Sequence, residues 1–146
     1  MNSGESNSGT RLVHIRGATP VTDATNAARD FAVEKEVARG DLSRLCVIVE
    51  ELFANLYEHG GVAPDDLVEM SLSTGPDGMR IIVIDTGRPF DPRNAKPRMR
   101  RRARGGGAGI NIVRSWASHV DYRVSDGRNC LEVLIPFHIE GPEHDH

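Results

Sequence analysis

The sequence predicts an α+β, two-layer sandwich in which helices cover one side of a mixed, largely antiparallel sheet. Helical apolar spacing fills most of residues 22–58 and returns after 109. Short apolar runs occur in pairs about the turn-forming segments 75–78 and 125–128, which reads as two hairpins. Helices interspersed with hairpins, and no internal repeat, point to that class.

The elements follow in order. Leu12, Val13 and Ile15 suggest a first strand ended by Gly17 and the turn at Pro20. Thr22 or Asp23 can cap a first helix reaching about Arg39, with Ala27, Ala28, Phe31, Ala32 and Val37 as apolar positions and Gly40 as the stop. Asp41 then reads as the N-cap of a second helix running to Tyr57 or Glu58 and closed by Gly60 and Gly61. Residues 67–73 and 79–84 form the first hairpin. From 88 to 107 the chain holds three prolines, a cluster of arginines and few aliphatic side chains, so a long loop is expected, and its flanking motifs suit a lid. A third helix is expected from about 109 to 119, with Ile110, Val113 and Ala117 on one side. Residues 120–124 and 130–137 make the second hairpin. This gives one domain over 11–138 between polar tails, 1–10 and 139–146.

A chain of 146 residues can bury a real core without disulfides or a structural metal. Its formal net charge of -3 argues against direct nucleic-acid binding, although Arg98, Arg100, Arg101, Arg102 and Arg104 crowd one stretch. Cys46 and Cys130 fit neither a zinc spacing nor a disulfide framework, so they are expected as reduced thiols. The first ten residues lack an apolar signal region, and no run approaches the roughly 20 apolar residues that span a bilayer. A cytoplasmic protein with no membrane partner is the expectation.

Three segments carry chemistry. The first is Glu51-Leu-Phe-Ala-Asn55 in the second helix. With about 100° per residue and Leu45 as origin, Ile48, Val49, Leu52 and Leu56 fall within about 60° and define the buried stripe. Glu51 and Asn55 share a flank about 80–120° away, whereas Glu50 points to the opposite flank, so only Glu51 can work with Asn55. A carboxylate one turn from an amide can orient a nucleophile and take its proton, while the amide oxygen suits a hard cation such as Mg²⁺. Taken alone, the pair also fits ordinary surface polarity, and His59 fits a cation at a helix C-terminus.

The second segment is Asp85-Thr-Gly-Arg-Pro-Phe90, at the end of the apolar run 81–84. An Asp at a buried strand end can accept the exocyclic amine of adenine, and Gly87 permits close approach of a flat ligand. The same residues also fit a turn, and Phe90 fits a ligand ring or the core. The third is Gly105, Gly106, Gly107, Ala108 and Gly109, followed by Ile110. Exposed backbone N–H groups at the start of a helix suit phosphates, although a hinge would read the same way. It is neither a P-loop, which needs Gly-Lys-Ser/Thr, nor a dinucleotide fingerprint, because no strand runs directly into it. The upstream arginines suit phosphates or an acidic protein partner.

In this order and on these elements, the segments resemble the N, G1 and G2 boxes of the GHKL ATPase superfamily, with its Bergerat ATP-binding fold. More narrowly, Val49-Glu-Glu-Leu-Phe-Ala-Asn-Leu-Tyr-Glu-His-Gly60, Asp85-Thr-Gly-Arg-Pro-Phe-Asp-Pro92 and Gly107-Ala-Gly-Ile-Asn-Ile-Val113 look like the anti-sigma factor serine/threonine kinases typified by RsbW and SpoIIAB. The likeness covers roughly residues 12–136. It implies Glu51 as general base, Asn55 as nucleotide-side Mg²⁺ ligand, Asp85 and Gly87 at adenine with Phe90 nearby, and residues 105–110 around the triphosphate. It further implies an ATP-dependent protein kinase that phosphorylates a STAS-type anti-sigma factor antagonist and holds a sigma factor or similar regulator when that antagonist is absent. A homodimer is compatible with this reading. Arg88 and Pro89 depart from the second glycine of many GHKL relatives, while Pro-Phe-Asp-Pro is familiar in the anti-sigma branch. A sensor histidine kinase would need a phosphoacceptor helix pair, for which the segment before residue 49 is too short. A non-catalytic module that sequesters a partner is the competing expectation.

Overall fold

The computed structural model of the chain describes residues 9–89, 113 and 115–138. The elements are β1 (Thr10–Ile15), α1 (Pro20–Glu34), α2 (Arg39–His59), β2 (Val68–Thr74), β3 (Gly78–Asp85), β4 (His119–Ser125) and β5 (Arg128–Pro136). The strands form one five-stranded sheet in the order β1-β2-β3-β5-β4. Each pairing among the described strands is antiparallel. The α+β sandwich with a largely antiparallel sheet is therefore the observed fold, and no described strand pair is parallel.

The core follows from period-2 and period-3.6 patterning meeting at one interface. Met70 and Leu72 of β2, Met79, Ile81 and Val83 of β3, and Leu131, Val133 and Ile135 of β5 turn inward at alternate positions. Against them pack Ala24, Ala28, Phe31 and Ala32 of α1 and Leu45, Ile48, Val49, Leu52 and Phe53 of α2. The other face carries polar cross-strand pairs, including Arg80 with Glu132 at 3.1 Å. Both hairpins form as expected. In the second, Asp126 (φ 55°) and Gly127 (φ 76°) are both left-handed, the backbone that a two-residue turn between twisted strands needs.

The helix boundaries differ from expectation. α1 starts at Pro20 rather than at Thr22 or Asp23, because proline in the first turn loses no helical hydrogen bond. It ends at Glu34, not near Arg39. Glu36 adopts φ 58°, and Val37 N–H closes back on Ala32 O at 2.9 Å, so a non-glycine residue takes the left-handed position that terminates the helix. Gly40 consequently lies inside the first turn of α2 and stops nothing. The N-cap of α2 is Ala38 rather than Asp41; the Asp41 carboxylate is buried and accepts from Arg44 and from His138 N–H (2.9 Å). Of the expected third helix, Val113, Ser115 and Trp116 are helical, and β4 has begun by His119. Ala117 and Ser118 are described and are not helical, and Thr10, expected in the N-terminal tail, opens β1; residues 1–8, 90–112, 114 and 139–146 lie outside the described residues. Cys46 and Cys130 are free thiols, and burial raises the pKa of Cys46. Among the described residues no helix is long and apolar enough to cross a membrane.

Candidate nucleotide site

α2 carries the first part of the site. Glu51 and Asn55 are 9% and 3% exposed, whereas neighbouring Glu50 is exposed. Helical phase explains the difference: the flank shared by Glu51 and Asn55 adjoins the Leu45, Ile48, Val49, Leu52 stripe and is drawn inward with it. Both polar side chains are thus held in the interior of the protein rather than in solvent.

β3 delivers the second part. Asp85 ends the strand and is 5% exposed. Its Oδ1 accepts from Gly87 N–H at 2.8 Å and from Asn129 Nδ2 at 2.9 Å. Asn129, at the start of β5 and 3% exposed, sits directly opposite Asp85 in the sheet register. Its Nδ2 also donates to Gly87 O at 2.9 Å, and its Oδ1 accepts from Tyr122 Oη at 3.2 Å. Among the described residues no donor reaches Asp85 Oδ2. Asn129 was not among the sequence candidates, since nothing local to it signals that it will face an Asp 44 residues away.

The loop after Asp85 docks on the C-terminal end of α2, the helix that carries Glu51 and Asn55. Arg88 N–H donates to Gly60 O at 2.5 Å, and Arg88 Nη2 to His59 O at 3.1 Å. A cation on those terminal carbonyls suits the helix dipole, a role that Arg88 plays beside His59. Gly87 is required here for a reason other than ligand approach alone. A Cβ on it would lie 2.4 Å from Gly60 O and 2.6 Å from Val62 Cγ2, so its bareness admits the protein's own chain. Tyr57, in the last turns of α2, has a buried hydroxyl with no hydrogen-bond partner among the described residues. Burial, followed by the nearby carboxylates of Asp85 and Asp66, pushes it up to about 12.

Glu51, Asn55, Asp85 and Gly87 are thus all placed, on α2 and at the end of β3. Phe90, Gly105, Gly106, Gly107, Ala108, Gly109 and Ile110 lie outside the described residues. A cavity of about 350 Å³ flanks the strand end, with Arg16, Asp66, Glu69, Asp85, Thr86 and Arg128 in its wall. A cavity of about 490 Å³ at the opposite end of β3, around residues 73–80, contains none of the candidates. Among the described residues no three His, Cys, Asp or Glu side chains converge as a metal cluster. The Asn55 side chain offers an amide oxygen, a donor that a hard cation such as Mg²⁺ would take more readily than a softer metal would.

The sequence model of the histidine kinase-like ATPase domain matches residues 18–135, from just before α1 to the penultimate residue of β5. The chain belongs to that family. No curated protein sequence matches this ATPase domain. Its fold is similar to a chain in the SiaB–SiaC complex of Pseudomonas aeruginosa, with TM-score 0.66 and 10% identity over 92% of this chain and 95% of that one. It is also similar to the RsbU and RsbW domains of a Mycobacterium tuberculosis protein, with TM-score 0.59 and 14% identity. That match covers 86% of this chain and 32% of the other, so the ATPase domain spans about a third of that protein. At these identities the likeness is one of fold.

Proposed function

We propose that the protein binds ATP with Mg²⁺ and transfers the γ-phosphoryl group to a serine or threonine of a partner protein, as an anti-sigma factor type kinase. The observation that carries this reading is the inward-facing Glu51–Asn55 flank of α2, set in a histidine kinase-like ATPase domain whose Asp85 is fixed at the end of β3. Asp85 would accept the adenine amine, with Gly87 holding its loop against α2. Phe90 and residues 105–110 are assigned to the ring and the phosphates by resemblance. Mg²⁺, held by Asn55 and the phosphates, would offset charge on the transferring group. Glu51 would align the acceptor hydroxyl and take its proton as the oxygen forms its bond to the γ-phosphorus and the bond to the β-phosphate oxygen breaks, releasing ADP.

A protein as substrate is supported by the company the fold keeps, since SiaB is complexed with SiaC and the RsbW domain shares a chain with RsbU. The partner proposed is a STAS-type anti-sigma factor antagonist, with a sigma factor or similar regulator as the alternative occupant. Phosphorylation would release the antagonist by adding charge and bulk at the interface.

Calorimetry with ATP and Mg²⁺ tests the first step, and absence of binding overturns the whole reading. Partners captured from the native cytosol and incubated with γ-labelled ATP test the second. Glu51→Gln should leave ATP affinity nearly unchanged while lowering transfer by about 10²–10⁴-fold. Equal transfer by both proteins would remove Glu51 as base. Binding of ATP and of a partner with no label transferred would instead favour the non-catalytic sequestering module.

A further inference from the structure

We propose that Asn129 is the positioning residue that locks Asp85 for base recognition and thereby sets preference for a 6-amino over a 6-oxo purine. This rests on the reading of Asp85 as the nucleobase acceptor. A buried asparagine in a strand is disfavoured unless its polar atoms are satisfied, and Asn129 is 3% exposed on β5. Each of its polar groups is engaged. The two Nδ2 hydrogens go to Asp85 Oδ1 and Gly87 O, both at 2.9 Å, and Oδ1 accepts from Tyr122 at 3.2 Å. This pattern fixes the amide's orientation, because the flipped form would set its oxygen against a carboxylate and a carbonyl.

The consequence falls on Asp85. A carboxylate free to rotate offers either oxygen in a range of directions. Here Gly87 N–H and Asn129 Nδ2 converge on Oδ1, and among the described residues nothing engages Oδ2. Oδ2 is therefore held as an acceptor of fixed direction. A 6-amino group answers it with an N–H, whereas a 6-oxo group presents oxygen to oxygen. Discrimination is strong when a buried polar group is left unmatched by the wrong ligand. Asn129 also holds Gly87 O, so one side chain fixes both the recognising carboxylate and the loop that follows it.

The test is calorimetric affinity for ATP and inosine triphosphate, each with Mg²⁺, in wild type, Asp85→Asn, Asn129→Ala, Asn129→Asp and Tyr122→Phe. Wild type should prefer ATP, and Asn129→Ala should reduce the preference by roughly tenfold, the scale of one hydrogen bond to a charged group. Asn129→Asp keeps the shape but replaces the donor by a second carboxylate, so it should lose more ATP affinity than the alanine variant. Tyr122→Phe, which leaves the Asn129–Asp85 bond in place, should lower the preference by about two- to threefold and guards against a folding defect at Asn129 itself. A purely structural Asn129 would lower the melting temperature and both affinities alike, leaving the ratio unchanged. If wild type shows a preference that Asp85→Asn removes but both Asn129 variants retain, this proposal is overturned and the ATP reading stands. If wild type shows no ATP binding, or no preference, the assignment of Asp85 fails first.

Discussion

Gly87 illustrates how one missing side chain can hold a site together. The nearest atoms to its would-be Cβ, at 2.4 and 2.6 Å, include a backbone oxygen that cannot swing aside. Gly87→Ala should therefore displace the 85–88 loop from α2, costing about 1–3 kcal/mol and weakening ATP binding. Gly75→Ala is the control, because a Cβ there meets nothing within 4 Å and should change stability by less than about 0.5 kcal/mol. Thermal melts and ATP calorimetry on both variants decide it; a Gly87→Ala protein as stable as the control would refute the packing argument. Tyr57 reports the same neighbourhood through its proton. Its folded value of about 12 lies above the ordinary 10.0, so the folded state keeps a proton that the unfolded state gives up. That stabilisation is complete below about pH 10 and is lost as pH rises through about 12. A phenolate difference titration of wild type against Tyr57→Phe should show its step near pH 12, and a step near pH 10 would contradict the burial beside Asp85 and Asp66.

At the scale of the element, α2 shows what a sequence makes visible. The inequivalence of Glu50 and Glu51 was legible because helical phase is a local property, and the apolar stripe fixes which flank turns inward. The ends were less legible. Asp41 reads as an N-cap because its type and place suit one, yet its carboxylate meets His138 N–H from 97 residues away, a partner that no local pattern announces. Asn129 escaped notice for the same reason, being defined by register across the sheet rather than by neighbours in the chain. Strand runs and hairpin turns, by contrast, were read to within a few residues, since alternation and turn chemistry are written locally. The pinning role of Asp41 makes its own prediction. Asp41→Ala should leave a part-buried N–H and Arg44 without their acceptor, costing roughly 1–2 kcal/mol and lowering the melting temperature by about 3–8 °C. A melting temperature within about 1 °C of wild type would show that the contact contributes little.

At the scale of the molecule, the proposed nucleotide site is a seam between two layers. Glu51 and Asn55 belong to the helical layer and Asp85 to the sheet, and the layers meet at the site where Arg88 binds the last carbonyls of α2. A nucleotide that touches Asp85 at one end and Asn55 at the other must clamp both. ATP with Mg²⁺ at a hundred times its dissociation constant should then raise the unfolding free energy by about 2.7 kcal/mol, through linkage alone. The distribution of that effect tests the geometry. Amide hydrogen exchange should slow on ATP binding both in the last turns of α2, residues 55–60, and in the loop at 85–88, because opening either one would release the ligand. Exchange in the middle of β3, already bonded on one side to β2 and on the other to β5, should change least. Protection confined to the loop, with the end of α2 unaltered, would mean that the nucleotide rests on the sheet alone, and Asn55 and Glu51 would then have no part in holding or using its phosphates.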